Sequence, residues 1–303
     1  MSRRTTSVLA ALAAVPLFVA LSACASSPAS DGAGDAGGED KTVRIGVVGK
    51  SDPQWPAFVE AAKEEGIIVE LVDFASYEQP NPALTEGELD LNQFQHIVYL
   101  AGYNVASGED LVPIGSTAIY PLGLYSQKYE DVKDIKKGET VIVPDDASNQ
   151  ARALLVLQSA GLIELKSGGT IFSDLADVDE SASKVKVTAL EAALIPNSLP
   201  DAAAAIINND FVTQAGLKFE DAIAQDDPAD ENALPYVNIF AARAEDKDNE
   251  TYLRLVEIFQ TDPEVQEGLL EASGNTAVAL KTPVADLEAS LEKVEKDTEE
   301  HEG

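Results

Sequence analysis

The chain has 303 residues, 45% of them hydrophobic, which is enough for an ordinary globular core in one large or two medium domains. Asp and Glu outnumber Lys and Arg 53 to 21, for a net charge of −32, and this argues against nucleic acid as a partner and against basic adhesion to anionic lipid. The acid excess reads as a solvated surface.

Arg3 and Arg4 form a short basic start, and an apolar run follows from Val8 to Leu21. The run is too short and too rich in Ala for a membrane span, which needs about 20 strongly apolar residues. It fits a cleavable secretory signal over residues 1–23. Ser2-Arg3-Arg4 hints at twin-arginine export, but the following residues fit that signal poorly, so the export route stays open. Leu21-Ser22-Ala23-Cys24 resembles a bacterial lipobox, whose Cys thiol takes a diacylglyceryl group and becomes the first residue of the mature chain. Cys24 is the only Cys in the sequence and has no disulfide partner. The resemblance implies a lipid anchor (palmitate-type acyl chains) on the outer face of the cytoplasmic membrane. Residues 1–23 carry two Arg and no acid, so their removal leaves 19 basic and 53 acidic residues, a net −34. Residues 24–40 are small, polar and Gly-rich and cannot bury a core. They read as a tether, with a reach of roughly 20–24 Å for its 16 links.

The folded part begins near Lys41. Val43 to Val48 is a β-rich run ending in Gly49. Asp52-Pro53 reads as an N-cap followed by Pro at the first helical position. Trp55, Phe58, Val59 and Ala62 then recur at helical spacing. Ile67 to Phe74 reads as a second strand, and strand–helix–strand this early predicts a parallel α/β sheet. Further strands are predicted at 112–115, 119–125, 140–143, 184–190, 204–207 and 236–241. Helices are predicted at 148–160, 251–260 and 286–296, the last running into an acidic tail expected to fray. No internal repeat is visible. Tyr120 to Tyr125 and Pro235 to Ile239 are the candidate crossings between two lobes. Lobe 1 is read as 41–122 with 239–303, and lobe 2 as 123–238.

The middle of the chain resembles a family. Leu71-Val72-Asp73-Phe74-Ala75-Ser76-Tyr77 leads through Pro80-Asn81-Pro82 to Asn92-Gln93-Phe94-Gln95-His96. Thr117-Ala118-Ile119-Tyr120-Pro121, then Asn149 three residues before Arg152, Leu190-Glu191-Ala192, Ile206-Ile207-Asn208 and Pro235-Tyr236-Val237-Asn238 follow in order. This ordered set, covering about residues 42–275 behind a lipobox, is similar to the methionine-binding lipoproteins of ABC importers. The resemblance implies a periplasmic-binding-protein-like α/β fold of type II, with two α/β lobes around a ligand cleft. It also implies methionine (the L form first) as ligand, an ABC permease and its ATPase as partners, and no cofactor. Four positions depart from the family pattern: Asp145 for an Asn, Ala151 for a Gly, Ala118 for an aromatic and Phe211 for a Tyr. They leave the fold alone but bear on the exact ligand. D-methionine, a Met-containing dipeptide, another small amino-acid-like solute, or a surface lipoprotein without a transport role are the alternatives.

The chemistry of a zwitterionic thioether amino acid sorts the candidate residues. Arg152, early in a helix, offers a fork for a carboxylate, or else a surface salt bridge. Asn149 either orients the ligand or caps that helix. Asn208 and Asn238 offer carbonyl oxygens to an ammonium, with Glu191 as a charged alternative; each Asn is otherwise a turn residue. Tyr77, Phe94, His96, Tyr99 and Tyr120 offer a polarizable wall to sulfur, or else core packing. Catalytic residues and a metal site are not expected: Gly-x-Ser-x-Gly, phosphate-loop and Cys/His metal spacings are all missing from the sequence.

Overall fold

The computed structural model describes residues 42–230 and 233–302. The expected signal peptide, Cys24 and the tether lie outside the described residues. Strand β1 (Val43–Val48) is buried along nearly its whole length, as a strand covered by helices on both faces must be. Helix α1 (Gln54–Glu64) follows, with Trp55, Phe58 and Ala62 buried on one side. The predicted cap does not form. Pro53 holds the N-cap position in helical geometry, and no side chain caps the helix. Gly49, at φ +82°, turns the chain after β1, and Asp52 N–H closes that turn on the Gly49 carbonyl at 2.9 Å. Next come β2 (Val69–Phe74), α2 (Pro80–Thr85), β3 (Leu91–His96), α3 (Ile97–Ser107) and β4 (Val112–Ser116).

The strand expected at 119–125 is two short ones, β5 (Ala118–Ile119) and β6 (Gly123–Tyr125), with Tyr120–Leu122 between them. The chain continues through β7 (Thr140–Pro144), α4 (Ala147–Ser159), β8 (Lys186–Leu190), α5 (Ile195–Ser198), β9 (Ala204–Ile207) and β10 (Ala224–Gln225). Tyr236 lies in a 3₁₀ turn, so β11 (Asn238–Ala242) starts two residues later than expected. Helices α6 (Glu250–Thr261) and α7 (Pro263–Ala272), strand β12 (Val278–Ala279) and helix α8 (Val284–Glu302) end the chain. The acidic tail is therefore helical through Glu302, not frayed. Leu287, Leu291 and Val294 bury one stripe of α8, and its last turn stacks His301 on Phe172 at 4.8 Å.

Two five-stranded sheets carry the fold, in orders β2-β1-β3-β11-β4 and β10-β6-β9-β7-β8. Each has its first-formed parallel strand (β1 or β7) between the next two in sequence. Each then accepts one antiparallel strand beside the third, β11 in the first sheet and β6 in the second. The topology thus repeats where the sequence shows no repeat. The chain leaves the first sheet after β4, forms β5 in a separate two-stranded sheet with β12, and returns to the first sheet between β10 and β11. One apolar cluster spans both sheets: Val48 and Phe94 from the first meet Ile142, Ala205 and Ile207 from the second, with Phe211 from the turn after β9.

Strand β3 was not predicted, because Leu-Asn-Gln-Phe-Gln-His lacks a strand's apolar alternation. It is buried at every position nonetheless. Its amides are satisfied by one another and by Asn81. Asn81 Nδ2 donates to Gln95 Oε1 at 2.8 Å, and Gln95 Nε2 returns a bond to Asn81 Oδ1 at 2.6 Å. Asn92 Nδ2 reaches the same oxygen at 2.9 Å. Buried amides are tolerable only when paired, which is the physical content of the Pro-Asn and Asn-x-Phe-Gln-His segments. Replacing Asn81 with Ala leaves both Asn92 and Gln95 short of a partner. Urea denaturation should show a loss of about 2–4 kcal/mol, and a loss below about 0.5 kcal/mol would mean that the network does not hold β3.

Candidate functional site

The parallel strands of both sheets end at one cleft, where ligands of open α/β sheets bind. A cavity there is lined by Tyr77, Phe94, His96, Tyr99, Tyr120, Asn149, Arg152, Asn208 and Asn238, all nine of the residues singled out from the sequence. Glu191, considered as a charged acceptor, is not among its walls. The cavity volume is about 40 Å³, room for roughly three water-sized particles. An amino acid is larger, so its admission requires the lobes to part and close again, the motion a two-lobed fold allows.

His96 ends β3 and caps α3. Its Nδ1 accepts from Tyr99 N–H at 3.1 Å, so the ring proton sits on Nε2, which faces Asn149 Oδ1 at 3.3 Å. Burial, then the nearby positive charge of Arg152, push the His96 pKa down to about 3. The imidazole is neutral in this arrangement, since a cationic ring has no lone pair for the helix cap.

The cap of α4 is Asp146, not Asn149. Its Oδ1 accepts from Asn149 N–H and Ser148 Oγ, each at 2.9 Å, and both carboxylate oxygens accept from Asn149 Nδ2, at 3.0 and 3.2 Å. With its NH₂ group held there, Asn149 turns its Oδ1 toward Asn208, whose Nδ2 donates at 3.0 Å. Asn208 Oδ1 is buried and has no hydrogen-bond partner among the described residues.

Arg152, one turn further along α4, is buried and already paired. Nε donates to Asp226 Oδ2 at 2.6 Å and Nη2 to the Tyr120 carbonyl at 2.9 Å. Its guanidinium carbon lies 4.6 Å from the centre of the Tyr236 ring. Asp226 is itself fixed by Leu122 N–H at 2.7 Å. Nη1 hydrogen-bonds to no described residue, so the Nη1/Nη2 end of the fork is still available to an oxyanion. The salt-bridge alternative is thus real, but the bridge is buried and leaves a donor edge free.

The aromatic wall is continuous. Tyr77 lies 5.9 Å from Phe94, 6.1 Å from Tyr99 and 5.2 Å from Phe211, centre to centre, and Phe94 lies 5.7 Å from Tyr99. Phe211, one of the departures from the family pattern, is part of this wall. Tyr77 Oη donates to Asp210 Oδ2 at 2.6 Å. Asp210 was not anticipated, although it follows Asn208 by two residues at the end of an apolar strand. Burial lifts its pKa to about 6, against the opposing donors Tyr77 and Asn209. Tyr236 and Asp226 were also missed as supports of Arg152. Tyr236 lay inside a noted segment, but nothing in the sequence marks Asp226. The described residues hold no group of three His, Cys, Asp or Glu suited to a metal, and no helix among them is long and apolar enough to cross a membrane.

Residues 43–280 match the family model described as NlpA lipoprotein, and the chain belongs to that family. The D-methionine-binding lipoprotein MetQ of Escherichia coli K12 is 36% identical over 266 residues, 86% of this chain and 96% of that protein. A nutrient binding protein from Burkholderia cenocepacia, solved bound to methionine, superposes with a TM-score of 0.72 at 37% identity, over 78% of this chain and 99% of that one. Protein PG110 from Staphylococcus aureus superposes with a TM-score of 0.79 at 35% identity, over 83% and 99%. The architecture is that of these two-lobed substrate-binding proteins.

The neutral His96 gives a direct check. Between pH 8 and 5 its ring resonances should not titrate by NMR, since its pKa lies near 3. A midpoint above about 5 would mean that the cap and the Asn149 contact are wrongly assigned.

Proposed function

We propose that this protein is an extracytoplasmic solute-binding lipoprotein that captures methionine, with the L form preferred, and delivers it to an ABC permease driven by its ATPase. The observation that carries the reading is a pair of unmet polar groups facing one aromatic-walled cavity. They are the free donor edge of Arg152 and the orphaned acceptor Asn208 Oδ1, with the Asp210 carboxyl beside it. A carboxylate answers the first and an ammonium the second. The thioether lies against Tyr77, Phe94 and Tyr99, each sulfur–ring contact contributing about 0.3–1.5 kcal/mol. Asn149 is saturated by its protein partners and acts by positioning Asn208 and His96. Relatives whose names state methionine or D-methionine binding support the solute class. Tyr120 and Asn238 complete the walls.

The same reading divides the chain into lobe 1 (41–122 and 239–303) and lobe 2 (123–238), a division supported by the strand membership of the two sheets. Asn238, the first residue of β11, pairs with His96 and so sits with lobe 1. Lipid on Cys24 holds the protein at the outer face of the cytoplasmic membrane, near the permease. Two acyl chains are needed for stable anchoring, so Cys24→Ser releases the protein.

Calorimetry on refolded, ligand-stripped protein should find L-methionine binding at nanomolar to micromolar affinity, about −8 to −12 kcal/mol. D-methionine titrated alongside tests the preference for the L form. No heat with either enantiomer or with simple derivatives sinks the proposal. Arg152→Ala should weaken binding by at least about 1.5 kcal/mol, roughly tenfold.

Affinity should also depend on pH. In the ligand-free protein Asp210 binds its proton up to about pH 6, whereas pairing with an ammonium needs it ionised. Binding then releases a proton, and affinity falls as pH drops, being about tenfold weaker at pH 5 than at pH 7. A flat profile across that window removes Asp210 from the ammonium contact.

A further inference from the structure

Beside the main cavity lies a second chamber that shares Phe94, Tyr120, Asn209, Asp210 and Asn238 with it. Its own walls include Asp52, Gln54 and Trp55. Asp52 is the residue expected to cap α1. The helix starts without a side-chain cap, and the Asp52 carboxyl lines the chamber instead, hydrogen-bonded to the Gln54 side-chain amide. Asp52 forms no ion pair among the described residues, and Asp210 bonds only to neutral groups, Tyr77 and Asn209. Lys50, the nearest base in sequence, donates its ammonium to the Leu71 carbonyl at 2.8 Å. Arg152 is held by Asp226. Two carboxyls thus face one small space with no base beside them.

A second set of observations is independent of the acids. Gln54 is 6% exposed and Trp55 1% exposed; both line this chamber, and each carries a buried polar atom without a partner among the described residues, Gln54 Oε1 and Trp55 Nε1. Orphaned buried atoms of this kind cost about 1–3 kcal/mol each. Oε1 is an acceptor and asks for a cation or a donor. Nε1–H is a donor and asks for an oxygen.

We propose that this chamber is a monovalent-cation site, in which an alkali-metal ion is held by the Asp52 and Asp210 carboxylates and Gln54 Oε1, with one water on the ion accepting from Trp55 Nε1–H. Hard cations take oxygen ligands of this kind. A volume of about 20 Å³ admits one or two water-sized particles, which suits an ion and a water and is too small for a further residue of an organic ligand. Two carboxylates without a third acidic or His ligand favour a single positive charge over a divalent ion. Charge balance points the same way. An amino-acid ammonium in the main cavity offsets one carboxylate, and the other is left for the ion. Asp210 lies in the shared wall, so the ion and the amino acid are coupled through it.

The test begins without the amino acid, so that it stands whatever the solute is. Thermal unfolding of the ligand-free protein is compared in sodium, potassium and choline chloride at one ionic strength. About pH 8 is suitable, because the Asp52 pKa, pushed up to about 7 by burial and by Asp210, then leaves it ionised. The wild type should melt at least about 2 °C higher in sodium or potassium than in choline. Asp52→Asn should lose most of that difference. Glu64→Gln, a change on α1 outside the chamber, should keep it, since diffuse ion effects on so acidic a surface are common to all variants. Gln54→Met, which removes the orphaned acceptor, is the second chamber variant and should also shrink the difference. An equal sodium-minus-choline difference in wild type and both chamber variants overturns the site, leaving water or a shared proton there. Methionine calorimetry in the same salts reads the coupling, an affinity that differs between sodium and choline being expected for the wild type and an unchanged one for Asp52→Asn. If methionine does not bind at all, the proposed function fails while the melting comparison still decides the ion.

Discussion

The orientation of one side-chain amide, that of Asn149, organises the cleft. The Asp146 carboxylate holds its NH₂ group at 3.0 and 3.2 Å, which fixes the carbonyl oxygen in the opposite direction. That oxygen receives Asn208 from the end of β9 and His96 from the end of β3, one from each sheet. Reversing the amide would set its NH₂ against two donors and its oxygen against a carboxylate. The neutral imidazole follows from the same constraint, because Nε2 must donate to Asn149 while Nδ1 accepts the α3 cap. Asn208 follows as well. Its NH₂ is committed to Asn149, so its own oxygen is the atom left facing the cavity without a partner.

Acid recurs inside the protein as it does outside, and for a different physical reason. Surface carboxylates are solvated and keep the chain soluble. Asp52, Asp146 and Asp210 are only partly exposed, and partial burial raises all three pKa values. Asp146 is compensated by three donors on α4. Asp52 and Asp210 are not compensated to the same degree, so they store a demand for positive charge at the cleft. Composition cannot distinguish these three from the other fifty acidic residues. Only their neighbours do.

Much of the fold was legible because its signal is periodic. The α1 stripe of Trp55, Phe58 and Ala62 and the apolar runs of β1 and β9 come from spacing alone. Strand β3 was not legible, since its burial rests on an amide network centred on Asn81, which lies eleven and fourteen residues from Asn92 and Gln95. The nine cavity residues were legible through the ordered motifs, which name residue types but not partners. The partners were what escaped. Asp146 rather than Asn149 caps α4, because the helix starts at Ala147 and leaves Asn149 in its first turn, where its own N–H is one of the groups that need a cap. Asp226 reaches Arg152 across 74 residues of sequence. Asp52 carries a cap signature that the backbone does not use, because Pro53 itself takes the N-cap position.

The pairing of Arg152 with Asp226 also bears on what the cleft discriminates. An unpaired buried guanidinium would be costly to maintain in the ligand-free protein and would draw any small anion. With Asp226 at 2.6 Å the local charge is close to neutral, and what remains is a directional pair of N–H groups rather than a strong positive field. A monocarboxylate then gains two hydrogen bonds but meets the Asp210 carboxyl and the orphaned Asn208 oxygen with nothing to offer them. A simple amine satisfies those acceptors and leaves the Arg152 edge unmet. A molecule carrying both groups on one carbon answers the Arg152 edge and the Asn208 and Asp210 acceptors at once. Because leaving a buried group unpaired costs about 1–3 kcal/mol, such a site rejects half-matched solutes more strongly than attraction alone could. The aromatic wall then chooses among zwitterions by the side chain, where one methylene more or less is worth about 1–3 kcal/mol. On the proposed reading, selection for the amino-acid head is built from hydrogen-bond matching, and selection for the tail from shape and polarizability.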